Sequence, residues 1–314
     1  MTQREKSTHQ EIEQLAKIVE KHNDFRVLRR LDWQAYGTEY TGGPLSKGVI
    51  LDTETTGMNK DKDKIIEFAM IVFEFDPETG AICGVVESYN SLEDPGVPIP
   101  LEATAVNNIT NEMVAGHRID DEKVALLLAN VSLVIAHNAA FDRPFVEKRF
   151  PIFSSVPWGC SLKHIDWSAE GIKNHKLDYL AYSFGFFFDA HRAEIDCLAV
   201  LEILKKQMPV SAVIAFKSLL EYSKVKDYRI YAHSSYDAKD LLKARSYQWD
   251  GEKKLWHITL PVDLVKAELE WLGLHVYCNK KTVVNIEEFD AYNRFSIRVG
   301  RIIRREILTK HNSA

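Results

Sequence analysis

An apolar run that ends in two closely spaced carboxylates is the feature that most constrains this chain. Residues 48–51 read as a buried strand, which runs directly into Asp52, Thr53 and Glu54. Residues two apart on a strand point to the same side of the sheet. Two such carboxylates repel each other, and a magnesium or manganese ion with oxygen ligands would relieve that repulsion. The strand therefore predicts half of a metal site, although such a pair alone also fits a solvated loop.

Two later segments supply further carboxylates at the starts of helices. The apolar run 131–136 predicts a buried strand, and the helix that follows it has Asp142 in its first turn. Further on, His191 stands in a loop and Asp196 opens the apolar helical run 197–204. Taken singly, both aspartates also fit ordinary helix starts, where the helix dipole favours negative charge. Their order along the chain, together with the first pair, favours one shared acidic site.

Four motifs carry a resemblance to a known family. They are D-T-E-T-T-G at 52–57, K-I-I-E at 64–67, H-N-A-A-F-D at 137–142 and H-x-x-x-x-D at 191–196. With these motifs, the chain from residue 46 to about 206 resembles the DnaQ-like, or DEDDh, 3′-to-5′ exonucleases. That family includes the proofreading epsilon subunit of bacterial DNA polymerase III. The resemblance implies an α/β fold of the ribonuclease H-like type, a mixed sheet flanked by helices.

The resemblance also implies roles for the acidic side chains and for one histidine in these motifs. Asp52, Glu54, Asp142 and Asp196 are then catalytic carboxylates that bind two divalent cations, Mg²⁺ or Mn²⁺. Asp52 would bridge both ions, Glu54 and Asp196 would complete the site of the attacking water, and Asp142 would support the second ion. His191 would be the general base, because an imidazole with a pKa of about 6.5 is often unprotonated at working pH.

Four polar residues near these motifs are predicted to bind the substrate: Thr53, Thr55, Asn107 and Asn138. Relatives commonly carry a V-H-G-I-T-like segment that helps to seat the terminal nucleotide. This chain has Val-Asn-Asn-Ile-Thr at 106–110, so that an asparagine replaces the histidine. The change puts substrate preference in question more than the chemistry. Asn138 also fits a simple helix cap.

The remaining sequence divides into further parts. In the first part, Ile12, Leu15 and Ile18 recur at helical spacing and predict an arm packed on the main domain. The last segment, 289–310, carries arginines whose spacing predicts one basic side of a helix. The predicted organisation is an N-terminal helical arm at 1–44, an exonuclease domain at 45–208, a connecting helix at 209–225, a small α+β module at 226–280 and a basic helical tail at 281–314.

The small module is predicted from a strand at 228–232, a helix at 236–244, two short strands around the Asp250–Gly251 turn and a helix at 262–272. Its Y-x-W-D-x-x-x-K-x-W arrangement at 247–256 resembles the HARP module of annealing helicases, a DNA-binding element. The tryptophans also fit a small-domain core, and the lysines also fit a solvated surface. The candidate nucleic-acid contacts of the C-terminal part are Trp249, Lys253, Lys254, Arg298 and Arg301.

The charge of the chain is divided unevenly. Residues 1–223 hold 23 Lys and Arg against 33 Asp and Glu, whereas residues 224–314 hold 17 against 12. Phosphate contacts are therefore expected in the basic C-terminal part. No apolar run approaches the roughly 20 residues that a membrane span needs, and residues 1–10 are too polar for a signal sequence. These features predict a cytoplasmic location and no membrane partner.

The sequence as a whole predicts a metal-dependent 3′-to-5′ exonuclease that releases nucleoside monophosphates from the 3′ ends of DNA, of the proofreading or repair type. Nucleic acid is the expected partner, DNA is favoured over RNA, and replication or repair proteins are candidate partners. Within the enzyme class the alternative is an RNA-trimming exoribonuclease, since the catalytic core does not itself select the sugar. In a different class, the alternative is a nucleic-acid-binding accessory subunit of a replication or repair assembly.

Overall fold

The computed structural model describes residues 3–32, 42–234, 236–278 and 280–307. Its elements begin with helix α1 (Gln3–Val19) and the strands β1 (Arg29–Arg30), β2 (Ser46–Thr55), β3 (Ile65–Phe75) and β4 (Ile82–Leu92). Next come α2 (Leu101–Asn107), α3 (Asn111–Val114), α4 (Asp121–Leu128), β5 (Val131–Ala136), α5 (Ala139–Arg149), β6 (Trp158–Cys160), α6 (Leu177–Ser183), β7 (Phe186–Phe187), α7 (Ala193–Lys205) and α8 (Ala215–Ser223). The last elements are β8 (Asp227–Ala232), α9 (Lys239–Ala244), β9 (Gln248–Asp250), β10 (Leu255–Pro261), α10 (Val262–Trp271), β11 (Thr282–Phe289) and β12 (Arg301–Ile307). Among the described residues, none of the helices is long and apolar enough to span a membrane.

The main domain is built on a five-stranded mixed sheet in the order β4-β3-β2-β5-β6. β3 runs antiparallel to both β2 and β4, whereas β5 runs parallel to β2 and β6 runs parallel to β5. β3 and β4 are consecutive in the chain and form an antiparallel hairpin. Helices cover both faces, so that β3 is buried along almost its whole length. This arrangement confirms the predicted fold class, a mixed α/β sheet flanked by helices.

Successive side chains of β2 point to opposite faces of the sheet, and a different helix packs on each face. Ile50 belongs to the core that includes α7 and α8, whereas Val49 and Leu51 belong to the core that includes α4 and α5. By the same period of two, Asp52 and Glu54 face α7. Since Thr53 points the other way, it faces α5. The carboxylates of Asp52 and Glu54 therefore lie toward α7, and the hydroxyl of Thr53 lies toward α5.

The N-terminal arm is a helix, but its apolar stripe is not buried. Ile12, Leu15 and Ile18 are 59%, 62% and 64% exposed, so the predicted packing of this stripe on the main domain is wrong. The arm contacts the main domain through its later residues, since β1 pairs with β7 and Leu31 packs against the core, while Arg29 of β1 pairs with Glu13 and Glu20 of α1. The part of the predicted arm at 33–41 lies outside the described residues.

The C-terminal module has its own antiparallel sheet, in the order β12-β11-β8-β10-β9, and its own core. The predicted strand at 228–232, the strand pair around Asp250–Gly251 and the helix at 262–272 are all present. Of the helix predicted at 236–244, α9 forms the second part and a 3₁₀ turn the first. Helix α8 lies inside the predicted connecting helix, but its Phe216 and Leu219 are part of the core of the main domain.

The predicted basic helix at the C-terminus is wrong over its described residues. β11 and β12 are paired strands of the same sheet, so the module continues beyond residue 280 and there is no separate helical tail. The physical reason is the β-branched alternation in this segment. Ile303 packs on the core, whereas Ile302 is about half exposed, which is a period of two. Residues 308–314 of the predicted tail lie outside the described part.

Residues 290–298, between β11 and β12, join the module to the main domain, and we call them the strap. Arg143 of α5 is fully buried and donates to the carbonyl oxygens of Ala291 (3.2 Å), Tyr292 (2.5 Å) and Arg294 (2.7 Å). Its remaining partner is Glu147, at 2.8 Å. Burial lowers the pKa of Arg143 to about 10, and Glu147 opposes that shift. The strap therefore fastens to α5 immediately beside Asp142.

Candidate active site

Three carboxylates converge at the end of β2. Asp52 and Glu54 lie on the side of this strand that faces α7, and Asp196 lies in the first turn of α7. One carboxylate oxygen from each residue lies within 4.8 Å of the others. The structure thus brings together three of the four residues that were predicted to bind metal.

The electrostatics of this cluster disfavour its charged form. Burial raises the pKa of Asp52 well above its ordinary value, and the carboxylates of Asp142, Asp196 and Glu54 raise it further. Burial likewise raises the pKa of Glu54 to about 7 and that of Asp196 to about 6. The cluster must therefore hold protons or bind cations at neutral pH. Hard oxygen ligands at this spacing fit a divalent cation, without specifying magnesium or manganese.

The fourth carboxylate, Asp142, approaches from α5. It is 2% exposed, and Thr53 donates a hydrogen bond of 2.9 Å to its Oδ1. Burial raises the pKa of Asp142 to about 7, although the Thr53 hydroxyl lowers it. Thr53 was predicted to bind substrate, and in the structure it orients this carboxylate. Thr55 donates to the carbonyl of Gly57 at 2.7 Å, which closes the turn after β2.

The loop before α7 places His191 next to Asp196. The backbone amides of His191 and Arg192 donate to Asp196 Oδ2 at 2.8 and 3.1 Å, which fixes this carboxylate at the helix start. His191 has a left-handed backbone, with φ of 69°, and its side chain is exposed. Its imidazole therefore projects from the loop that holds Asp196 and is open to solvent.

One ion pair beside the cluster, between a buried glutamate and a solvent-exposed arginine, was not identified as functional from the sequence. Glu67 on β3 is fully buried, directly opposite Glu54 in the strand register. It accepts hydrogen bonds from the Arg192 guanidinium at 2.8 Å and from the amide of Ala193 at 3.1 Å. Glu67 thus ties the start of α7 to the sheet. The signal that could have found it is its place in the K-I-I-E motif, where a charged residue interrupts an apolar strand.

The two predicted asparagines differ in their environment. Asn107 is 2% exposed, its Oδ1 accepts from the amide of Ile109 at 3.0 Å, and its side chain hydrogen-bonds Glu54, which lowers the pKa of that carboxyl. Asn107 therefore contacts the acidic cluster directly. Asn138 precedes α5 with a left-handed backbone, φ of 72°, and its exposed side chain makes no capping bond. The cap alternative for Asn138 is therefore wrong.

The candidate nucleic-acid contacts of the C-terminal part differ in their interactions with the rest of the protein. Lys253 donates to the Tyr231 hydroxyl at 2.7 Å, and Arg298 belongs to the strap, where it donates to Glu147 at 3.1 Å. These two cations therefore have structural partners. The other three, which are solvent-exposed, are Trp249, Lys254 and Arg301.

Comparison with known proteins agrees with the geometry of the main domain. Over 193 residues the chain is 32% identical to a PolC-type DNA polymerase III of Clostridium perfringens, covering 58% of this chain and 12% of that protein. It is 27% identical to the DNA polymerase III subunit epsilon of Treponema pallidum, covering 48% of this chain and 72% of the relative. Among solved structures, an exonuclease X in complex with 5′ overhanging duplex DNA is 27% identical with a TM-score of 0.42, covering 56% of this chain and 98% of that one.

The match to the PolC-type polymerase spans only a small fraction of that protein's length, so the similarity concerns the main domain. Residues 49–204 match the RNase T family model, which is described as an exonuclease. These residues include the whole acidic cluster and His191. Residues 49–204 therefore form an exonuclease domain of the RNase T family, and this part of the chain is similar to the epsilon subunits of DNA polymerase III.

Proposed function

We propose that this protein is a metal-dependent 3′-to-5′ exonuclease of the DEDDh type, which removes nucleoside monophosphates from the 3′ ends of DNA. The observation that carries the proposal is the convergence of Asp52, Glu54 and Asp196 within 4.8 Å inside an exonuclease domain. The names of the relatives, DNA polymerase III of the PolC type and its epsilon subunit, support DNA as the substrate and replication or repair proteins as partners.

The four carboxylates fit two divalent cations. Asp52 is close to carboxylates on both flanking helices, since the charges of Asp142 on α5 and Asp196 on α7 both raise its pKa. Asp52, Glu54, Asp196 and Asp142 would together hold the ions. When bound, such a pair of cations supplies an activated water and neutralises charge on the phosphate and on the departing 3′ oxygen.

The protein's own groups would position the substrate and move the proton. The imidazole of His191 would accept the proton of the attacking water, because it is open to solvent and stands five residues before Asp196. The backbone amide of His191 also donates to Asp196, so that the loop that carries the base fixes a metal ligand at the start of α7. Glu67 and Arg192 would keep that loop against the sheet, and Asn107 would hold Glu54 on the side where the terminal nucleotide binds.

The proposal is tested by hydrolysis of end-labelled substrates. The full chain is incubated with 5′-labelled single-stranded DNA, with 3′-mismatched duplex and with RNA of the same sequence, in Mg²⁺, Mn²⁺ or EDTA. The matched variants are Asp52→Asn and, as the control, Asp61→Asn, which alters a nearby carboxylate whose side chain is 75% exposed. We expect a ladder that shortens from the 3′ end, requires a divalent cation, survives Asp61→Asn and disappears in Asp52→Asn.

Direction and sugar preference follow from the same assay. A 3′-labelled strand should release the labelled mononucleotide first, and a nuclease-resistant linkage at the 3′ terminus should stop digestion. Faster digestion of RNA than of DNA would replace the DNA proposal with the RNA-trimming alternative. If no substrate were cleaved with either metal while DNA still bound, the enzyme proposal would fail and the accessory-subunit alternative would stand.

A further inference from the structure

The C-terminal module contains a cleft that the proposed catalytic function does not use. It has a volume of about 520 Å³, within the range of roughly 300–1,000 Å³ that is common for ligand sites. It lies between the first part of the 236–244 segment and the paired strands β9 and β10. The residues that line it are Ser234, Tyr236, Lys239, Lys243, Trp249 and Trp256.

Large aromatic surfaces in this cleft are open to solvent. Tyr236 is 78% exposed and Trp249 is 53% exposed. Trp256 stands edge-on to Trp249, with ring centroids 5.4 Å apart, and packs against the core of the module. It therefore supports Trp249 from the side and leaves a face of the indole free. Exposed rings supported in this way are suited to stacking on a planar ligand.

The charge of the cleft is positive. Its lining includes two lysines and no carboxylate. The ammonium group of Lys239 lies 2.6 Å from the Tyr236 hydroxyl and 3.8 Å from the centre of the Tyr236 ring, so that it lies over one face of this ring. Lys243 follows one helical turn later and is exposed. Two cations beside aromatic rings suit a ligand that combines planar groups with anions.

One polar atom of the lining also lacks a partner. The Oγ of Ser234 is buried, and no described residue hydrogen-bonds it. Buried hydroxyl groups normally have a partner, because leaving one unsatisfied costs free energy. Since this oxygen is itself inaccessible to solvent, a ligand in the cleft would reach it only after a local rearrangement of the cleft wall.

We propose that this cleft binds a single-stranded segment of the nucleic-acid substrate, with bases stacked on Trp249 and Tyr236 and phosphates at Lys239 and Lys243. This inference rests on the proposed function, which makes nucleic acid the available ligand. A single strand is specified because only unpaired bases present their faces to aromatic side chains. Of the contacts predicted from the sequence, the cleft includes Trp249, whereas Lys253 and Arg298 are not among the residues that line it.

The test is a binding measurement on the full chain that does not depend on catalysis. In an Asp52→Asn background, the anisotropy of a fluorescent oligothymidylate is titrated with Trp249→Ala, Trp249→Phe and Lys239→Ala/Lys243→Ala variants. The matched control is Lys266→Ala, an exposed lysine of the same module on α10. Thermal melting of each variant verifies folding.

We expect Trp249→Ala to raise the Kd by about 5-fold or more, from the usual contribution of one stacked base. Trp249→Phe should stay within about twofold of the parent, because an aromatic face is kept. The lysine double variant should lower the slope of log K against log salt concentration by about 1.4, which corresponds to two phosphate contacts on a single strand. Lys266→Ala should change neither quantity.

The inference would be overturned if the Trp249→Ala and lysine variants were folded and bound the oligonucleotide with the parental Kd and salt slope. A loss of binding that is equal for the Lys266→Ala control would overturn it as well. Failure of the proposed function looks different, since it appears as absent hydrolysis in the chain with Asp52 intact. Hydrolysis with unchanged binding by the cleft variants would therefore remove only this inference.

Discussion

The stability of the metal-free protein is predicted to depend on the proton of Asp142. This carboxyl is buried, and its folded-state pKa is raised to about 7 by that burial. In an unfolded chain an aspartate has a pKa of about 3.9. Between these values the folded protein retains a proton that the unfolded chain has lost. Stability must then fall as pH rises, by about 1.4 kcal/mol per pH unit, or about 4 kcal/mol between pH 4 and pH 7.

Two buried histidines act in the opposite direction over part of this range. Burial lowers the pKa of His137 to about 4 and that of His164 to about 3, whereas an unfolded histidine titrates near 6.5. The unfolded chain therefore binds protons below that pH that the folded protein does not bind, and these groups make stability rise with pH. The wild-type profile is a sum of these effects and of those of Asp52, Glu54 and Asp196, whose raised pKa values act in the same direction as that of Asp142. Because the Asp142 carboxylate raises the pKa of Asp52, a difference between the wild type and a variant at position 142 reports Asp142 together with its effect on that neighbour.

Asp142→Asn provides that difference, because the amide keeps an oxygen for the Thr53 hydroxyl and removes the titrating proton. Urea unfolding in EDTA is followed by tryptophan fluorescence from pH 5 to pH 8. We expect the free energy of unfolding of the variant, relative to that of the wild type, to rise by about 1.4 kcal/mol per pH unit up to pH 7. The variant should then be the more stable protein at neutral pH. Asp61→Asn, at an exposed site, should show no such trend.

Saturating Mg²⁺ should reverse the order at neutral pH. Under the proposed function, cations bind the ionised cluster and Asp142 is one of the ligands, so the wild type should gain stability with metal concentration and Asp142→Asn should gain less. A stability difference that stayed constant from pH 5 to pH 8 in EDTA would refute the reasoning, since it would mean that Asp142 is ionised in the folded protein.

Three further outcomes follow from the site and from the strap. His191→Ala should lower kcat by at least about 100-fold while the metal concentration for half-maximal stabilisation stays the same; equal losses of both would place His191 among the ligands. Glu67→Gln should lower kcat by about 10- to 100-fold, because Arg192 and the start of α7 lose a charged partner, whereas Glu74→Gln on the same strand should leave it unchanged. Glu147→Gln should lower the free energy of unfolding by about 1–3 kcal/mol in a urea titration, since Glu147 accepts from Arg143, Ser296 and Arg298; an unchanged value would show that the strap contributes little.

Local periodicity was enough to predict much of the main domain and its acidic cluster. Alternation along β2 places Asp52 and Glu54 on one face, and the helix start places Asp196 on the element that packs against that face. What periodicity could not predict is the pairing between distant elements. The ion pair of Glu67 with Arg192 joins residues 125 apart, and it depends on a strand register that no local pattern contains.

The same limit explains the errors in the C-terminal part. The arginines at 294–305 fit helical spacing, but Ile302 and Ile303 alternate between solvent and core once β12 pairs with β11. Lys253 and Arg298 were predicted as nucleic-acid contacts, and their partners within the protein, Tyr231 and Glu147, could not be seen from local sequence. The exposed stripe of α1 was misjudged for a related reason, since spacing indicates an apolar face without indicating what covers it.

The fastening of the strap to Arg143 bears on how this protein can be dissected. A chain cut after α8 would keep the entire acidic cluster but would remove three carbonyl acceptors from a fully buried guanidinium. Water or a local rearrangement of α5 would have to replace them, one residue away from Asp142. The main domain on its own would therefore differ, next to Asp142, from the main domain in the intact chain. A minimal enzyme derived from it would need a neutral or shorter residue at position 143 before its activity could be compared with that of the intact chain.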